Sequence, residues 1–450
     1  LHQLAQPATK LYSFAMPALI SHVDVAVIGA GAAGIAAGIA LRRAGGTSFV
    51  VLEARTRVGG RAWTIDGADG HPLDLGCEWL HSADDNVLVK QAQLLKLSLE
   101  PSRPRWRLGA SDAVPWDYLT AERAHATGLE ALISGRDRAI ADFLAPDAPW
   151  TPLLSARCAW STGGEPERVS ARDTRAYVDT GANWRLPSGY GRLIEQLARD
   201  LPIVLATRVE GIDHVGATLR LSTNKGELSC QKVIVTVPTA LIAGEHIRFS
   251  PALPDKRQAA ASLPLGLADK LVFALDDDLP EQYFIGAPER RATMNYQVRP
   301  LGRSRLQCFF AGDLADDLER GGLGAMTDFA KTEIAALLGS KLARRIRPTA
   351  ASFWRKDRYA RGAYAYAKVG CANARALLFA PVDERLFFAG EACSARHFST
   401  AHGAFETGEV AAEAVLTALR RDGRSERQAS SRLVISNPEH HRTAGGARDD

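Results

Sequence analysis

The chain has 450 residues, 46% of them hydrophobic, which suffices for two domains with substantial cores and excludes a small module. Lysine and arginine number 55 against 51 acids, and the formal charge of +4 is spread without a basic block, so charge implies neither a nucleic-acid nor a membrane-surface partner. Six scattered cysteines without C-x-x-C or Cys/His ligand spacing argue against a disulfide framework and against a metal site, and a reducing, cytoplasmic setting is expected.

Residues 1–21 read as an N-terminal extension with no apolar segment and cleavage site of the signal-peptide kind. The run Val23 to Ile28, apolar but for Asp24, then leads into Gly29-Ala30-Gly31-Ala32-Ala33-Gly34, followed by a helix-forming segment from Ile35 to Ala44 and a second apolar run that leads into Glu53. Strand, G-x-G-x-x-G, helix, and an acid about 20 residues further on form a dinucleotide fingerprint. Gly29 permits the tight turn, Gly31 lets backbone approach a pyrophosphate, and Gly34 allows close helix packing, while the helix N-terminus, carrying Ala33, offers N–H groups to phosphate. Glu53 would accept from a ribose diol and repel a 2′-phosphate, which leaves FAD or NAD. Arg57-Val58-Gly59-Gly60-Arg61 favours FAD, because a longer buried cofactor needs further donors; a solvated surface turn is the alternative.

Strand-like runs return at 202–206, 232–237 and 385–389, as expected of a discontinuous, doubly wound, Rossmann-like α/β domain. The expected division assigns 22–83, 185–258 and 351–420 to an FAD-binding domain and 84–184 and 259–350 to an inserted α+β substrate-binding domain, with 421–450 a disordered tail. Leu271 to Leu275 reads as a strand, and Asp328 to Leu338 as an amphipathic helix. No apolar run approaches the roughly 20 residues of a membrane helix.

Glu53-Ala54-Arg55 with Arg57 to Arg61, Leu186 to Gly191, Val235-Thr236-Val237-Pro238, Lys270, Trp354 with Gly362-Ala363-Tyr364, and Phe388-Ala389-Gly390-Glu391 resemble, in order, the flavin-dependent amine oxidases, the monoamine and polyamine oxidase group. The resemblance spans about residues 22 to 420. It implies a two-domain FAD enzyme that oxidises an amine to an imine, hydrolysed to an aldehyde or ketone, with O2 reduced to H2O2. It further implies that Lys270 holds a water near the flavin, that Tyr364 walls the substrate cage with Trp354 beside it, and that Gly390, Glu391, Thr400, Ala401 and the backbone of Val209 contact the cofactor. Read from residue type alone, Lys270 is a solvated strand end, Trp354 core packing, and Val209 an ordinary strand residue.

Thr400 stands where monoamine oxidases carry a second tyrosine. The Ser399-Thr400-Ala401-His402-Gly403-Ala404 stretch and Trp79-Leu80-His81 are instead similar to polyamine and spermine oxidases, which implies a polyamine or other secondary amine and places His81 near the substrate channel; a surface loop histidine is the alternative. Ala363 occupies the position of the flavin-linking cysteine, so FAD is expected to be non-covalent. The 403–419 segment reads as a helix whose N-terminus would favour negative charge on the reduced cofactor. An L-amino-acid oxidase remains open, with Arg185 or Arg299 as the carboxylate clamp, and so does a non-catalytic flavin-binding partner protein.

Overall fold

The strand β1 (His22–Ile28) sits in the middle of an eight-stranded sheet, parallel to β2 (Phe49–Leu52) on one side and to Gly226–Val235 on the other. Val25, Ala26 and Val27 are all fully buried, because both faces of this sheet are covered; that explains an unbroken apolar run in place of alternation. In this computed structural model the described residues are 21–101, 106–109, 120, 123 and 135–435, with side chains to 423. The expected N-terminal extension, apart from residue 21, lies outside them, as do residues 436–450 and most of 102–134.

The sheet is assembled from distant segments. Ile203–Val204 extends it beyond β2. On the other side, Gly226–Val235 pairs antiparallel with Leu219–Thr223 along its first half and parallel with Leu386–Phe388 along its second, in the register Val233 to Leu386. Helix α1 (Ala32–Ala44) packs on one face against the terminal helix Ala401–Ile435. Gly408 allows that approach, since a Cβ there would overlap the carbonyl of Ala33.

A second sheet has six strands in the order Arg347–Ala351, Ala268–Ala274, Arg305–Ala311, Asn295–Val298, Gln282–Ile285 and Trp106–Leu108. All neighbours are antiparallel except the last two, which run parallel. The helix Gly312–Leu338 covers it through Met326, Ala330 and Ile334, each fully buried.

Three expectations change. The strand expected from Leu271 begins at Ala268, because Asp269 and Lys270 pair with Phe310 and Phe309; Lys270 is therefore inside the ladder and buried, not a solvated strand end. The helix expected over 328–338 starts at Gly312 and bends at Gly322, whose φ is +79°. The terminal helix begins at Ala401 and continues to Ile435, so the segment expected as a tail from 421 opens as helix. A physical tie holds that stretch: the buried Lys232 ammonium bonds Asp422 at 2.6 Å, and Arg421 pairs with Glu384 at 2.8 Å. Among the described residues no helix is long and apolar enough to cross a membrane.

Candidate active site

The turn after β1 carries out the three glycine functions separately. Gly29 has φ +104°, a conformation that disfavours any side chain. A Cβ on Gly34 would overlap the Gly29 carbonyl oxygen, so this glycine lets α1 sit directly on the turn. A Cβ on Gly31 would meet no protein atom within 4 Å, although Gly31 is the N-cap of α1 and has no side-chain cap. Space and the N-terminal N–H groups of α1 therefore coincide at one point, an arrangement suited to a phosphate. The second glycine turn closes this cradle: Gly59 N–H donates to Ala30 O at 2.8 Å, and Gly60 lies against Gly31.

Glu53, 4% exposed at the end of β2, accepts from Ala30 N–H and Arg55 N–H, both at 2.8 Å, which braces the turn and fixes the carboxylate. Arg55 bonds Asp357 at 2.6 Å and lies over the Tyr359 ring. Arg57 stacks on Trp63, and burial with the neighbouring Arg55 charge pushes its pKa down to about 10. Ala54 is half-buried in the same loop, Ala33 is buried in the first turn of α1, and Val209 is a buried strand residue two positions after Thr207, whose N–H donates to Glu53 O.

Arg61 joins motifs that are more than 300 residues apart. Its guanidinium donates to Ala363 O at 2.5 Å and to Glu391 Oε1 at 2.9 Å. Glu391 also accepts from Ala365 N–H and Ser399 N–H, and the Ser399 hydroxyl donates to Ala365 O at 2.7 Å. Gly390, with φ +137° and open space where a Cβ would be, is held through its N–H to Thr407 Oγ1. Thr400 is the N-cap of the terminal helix: its Oγ1 accepts from Gly403 N–H at 3.1 Å, and its hydroxyl donates to His397 O at 2.6 Å. Ala401, half-buried, opens that helix. Next to it His402 is 1% exposed, and burial, reinforced by His397 and His81, pushes its pKa down to about 3. Its Nε2 has no partner among the described residues.

Lys270 projects onto the 74–78 segment. Its Nζ donates to Glu78 Oε2 at 2.7 Å and to Asp74 O at 2.9 Å. Burial alone would raise the Glu78 carboxyl, but the Lys270 charge and hydrogen bond, with Arg185, hold it below the usual carboxylate range. The Asp74 carboxyl goes the other way, pushed up to about 6 by burial despite Lys270 and the Thr64 hydroxyl. Tyr364 donates its hydroxyl to Trp160 O at 2.5 Å and packs with Trp160 and Phe309 on Ala268 and Ala363. Burial raises its phenol pKa. Trp354 is 5% exposed, its indole N–H on Leu75 O at 3.3 Å and its ring edge-on to Trp63: it packs in the core beside the second sheet. His81 is paired through Nδ1 with Asn183 Oδ1 at 2.6 Å, and burial lowers its pKa.

A family profile described as flavin containing amine oxidoreductase matches residues 32–176 and 169–416. The chain belongs to that family. Polyamine oxidase 3 of Oryza sativa subsp. japonica is 29% identical over 87% of this chain and 89% of its own length. Polyamine oxidase 2 of Arabidopsis thaliana is 28% identical over 87% of each. A redesigned putrescine oxidase variant superposes with a TM-score of 0.75 at 19% identity, covering 88% of this chain and 99% of that one, which establishes the shared fold. As a flavin-dependent amine oxidoreductase, the chain takes FAD, and its residues fit that cofactor. The open space at Gly31 and Gly390, the carboxylate at Glu53 and the unpartnered buried Nε2 of His402 are what such a nucleotide requires. The side chain of Ala363 offers no nucleophile for a covalent link to the flavin.

Glu78, Asp74, Trp160, Asn183 and Gln307 escaped the sequence reading. Glu78 directly precedes Trp79-Leu80-His81, but its partner Lys270 is 192 positions away, and no local pattern announces such a pair.

Proposed function

We propose that this oxidoreductase converts the carbon–nitrogen single bond of a polyamine, or of another secondary or primary amine, to an imine. Water then hydrolyses the imine to a carbonyl compound and an amine, and O2 is reduced to H2O2. The observation that carries this reading is the aromatic group Tyr364, Trp160 and Phe309, packed on the strand that bears Lys270 and joined to the cofactor motifs by the Arg61 bond to Ala363 O. The polyamine and putrescine oxidases among its relatives support the substrate class.

Bound FAD supplies the two-electron redox step. The polypeptide presents the amine and controls charge. The face of Tyr364 attracts an amine cation, while the apolar surroundings favour the neutral amine that can lose hydride. Thr400, smaller than an aromatic residue and occupied in capping, leaves one side open for an extended or N-substituted chain. Lys270 supplies a fixed N–H donor that holds a water and serves reoxidation. The terminal helix starts at Ala401 with its positive end, which favours negative charge accumulating nearby. His81 lies within the electrostatic reach of His402 and belongs to the approach route. The six cysteines are free thiols, which supports a reducing compartment.

An amino-acid oxidase would need an arginine clamp for a carboxylate. Arg185 is engaged by Tyr283 and Glu281, and Arg299 pairs with the exposed Asp278. The test is a peroxide-coupled screen of putrescine, spermidine, spermine, their acetylated forms, benzylamine, tyramine and L-amino acids. Turnover of a polyamine with peroxide release is expected; turnover of amino acids alone would replace the reading.

A further inference from the structure

The strand pair that carries Lys270 places Gln307 beside it. Lys270 opposes Phe309 and Val272 opposes Gln307, so Lys270 and Gln307 are diagonal neighbours on one sheet face. Glu78 lies over that face and bonds both: Oε2 accepts from Lys270 Nζ at 2.7 Å and Oε1 from Gln307 Nε2 at 3.3 Å. The Lys270 and Glu78 side chains are 8% and 12% exposed. With Asp74 O as the second acceptor, two of the three ammonium donors are occupied and one remains.

Withdrawing two charges from water makes a buried ion pair a poor stabiliser compared with apolar packing of the same volume. A lysine on a flexible four-carbon stem, by contrast, has no defined position unless its head is held. We infer that Glu78 is the positioning residue of Lys270: with Asp74 O and Gln307 it fixes the ammonium so that the remaining N–H holds the water that serves reoxidation of the cofactor. Glu78 makes and breaks no bond in the reaction and acts only through Lys270. This rests on the assignment of Lys270 to reoxidation.

The holoenzyme and its Glu78→Gln, Glu78→Asp, Lys270→Met and Glu78→Gln/Lys270→Met variants are compared in stopped flow, with anaerobic reduction by the best amine of the screen measured separately from reoxidation by O2. Glu78→Gln slows reoxidation about tenfold, the scale of a lost charge-assisted hydrogen bond, and leaves reduction within about twofold. Glu78→Asp, which keeps the charge but draws it back by one methylene, falls between wild type and Glu78→Gln. In the Lys270→Met background, Glu78→Gln adds less than about a factor of two, because its partner is already gone. The unfolding midpoints of the four loaded proteins other than Glu78→Asp give a second cycle independent of turnover: each single change lowers the midpoint, and the double change lowers it by less than their sum.

Equal slowing of both half-reactions by Glu78→Gln, or an undiminished effect in the Lys270→Met background, overturns the inference. Should Glu78→Gln fail to fold, Glu78→Asp decides: a severalfold loss confined to reoxidation supports the inference, and a wild-type rate overturns it. Wild-type reoxidation in Lys270→Met removes the assignment of Lys270 itself. Slow Lys270→Met with wild-type Glu78→Gln removes only the role of Glu78.

Discussion

Gly31→Ala separates the cofactor cradle from the fold that builds it. Gly31 has φ −80° and ψ −173°, extended backbone that alanine adopts freely, and a Cβ there meets no protein atom within 4 Å. Glycine is preferred to alanine at an N-cap, so the cofactor-free protein loses about 0.5–1 kcal/mol of stability. The methyl group instead enters the space from which a pyrophosphate oxygen meets the first N–H groups of α1. Loss of one such hydrogen bond to a charged group costs about 1.5–3 kcal/mol, which raises the FAD dissociation constant by about ten- to a hundredfold. Gly34→Ala is the contrasting case: its Cβ overlaps Gly29 O, α1 must retreat, and about 1–3 kcal/mol of stability is lost even without cofactor. FAD titration of the apoprotein by flavin fluorescence and thermal unfolding of the same samples measure the two quantities. A Gly31→Ala protein that binds FAD with wild-type affinity would refute the assignment of this turn to the pyrophosphate.

Glu53→Ala leaves the N–H groups of Ala30 and Arg55 without their acceptor. A loss of about 2 kcal/mol in unfolding free energy is expected, along with weaker FAD binding, and denaturant titration of the apoprotein reads the first part. Tyr364→Phe removes only the hydroxyl bond to Trp160 O and should raise KM for the preferred amine by less than about tenfold, whereas Tyr364→Ala removes the ring and should raise it further; steady-state kinetics with the two variants checks the order. Asp74 gives a pH signature. Its folded pKa, raised to about 6 from 3.8, contributes stability that is full below pH 3.8 and lost as pH rises through 6. The stability of wild type relative to Asp74→Asn should therefore fall across that window, and a flat difference would place the carboxyl in water.

The parallel core could be read along the chain because its cause is local. Val25 to Ile28 is apolar at every position, and a strand of that kind fits only where both faces are covered; Gly29, Gly31 and Gly34 follow at the spacing a phosphate turn demands. Glu53 was legible as a candidate cofactor ligand for the same reason, being fixed by its distance from the turn. The boundaries of Ala268–Ala274 and of the terminal helix were not, since ladder partners at Phe309 and Phe310 and a buried lysine at 232 decided them from far along the chain. Trp354 shows the limit for a single residue: its type suits a substrate wall or a core, and the Leu75 carbonyl and the Trp63 ring place it in the core.

The sequence by itself determined the nucleotide half of this protein, because glycine spacing, apolar continuity and the position of one acid are properties of neighbours in the chain. Only the tertiary structure decided the chemistry around Lys270. Lys270 and Gln307 stand on adjacent strands of the second sheet, whereas Glu78 and the Asp74 carbonyl belong to a distant segment of the chain, so their meeting depends on how that segment folds over the sheet and not on any local preference.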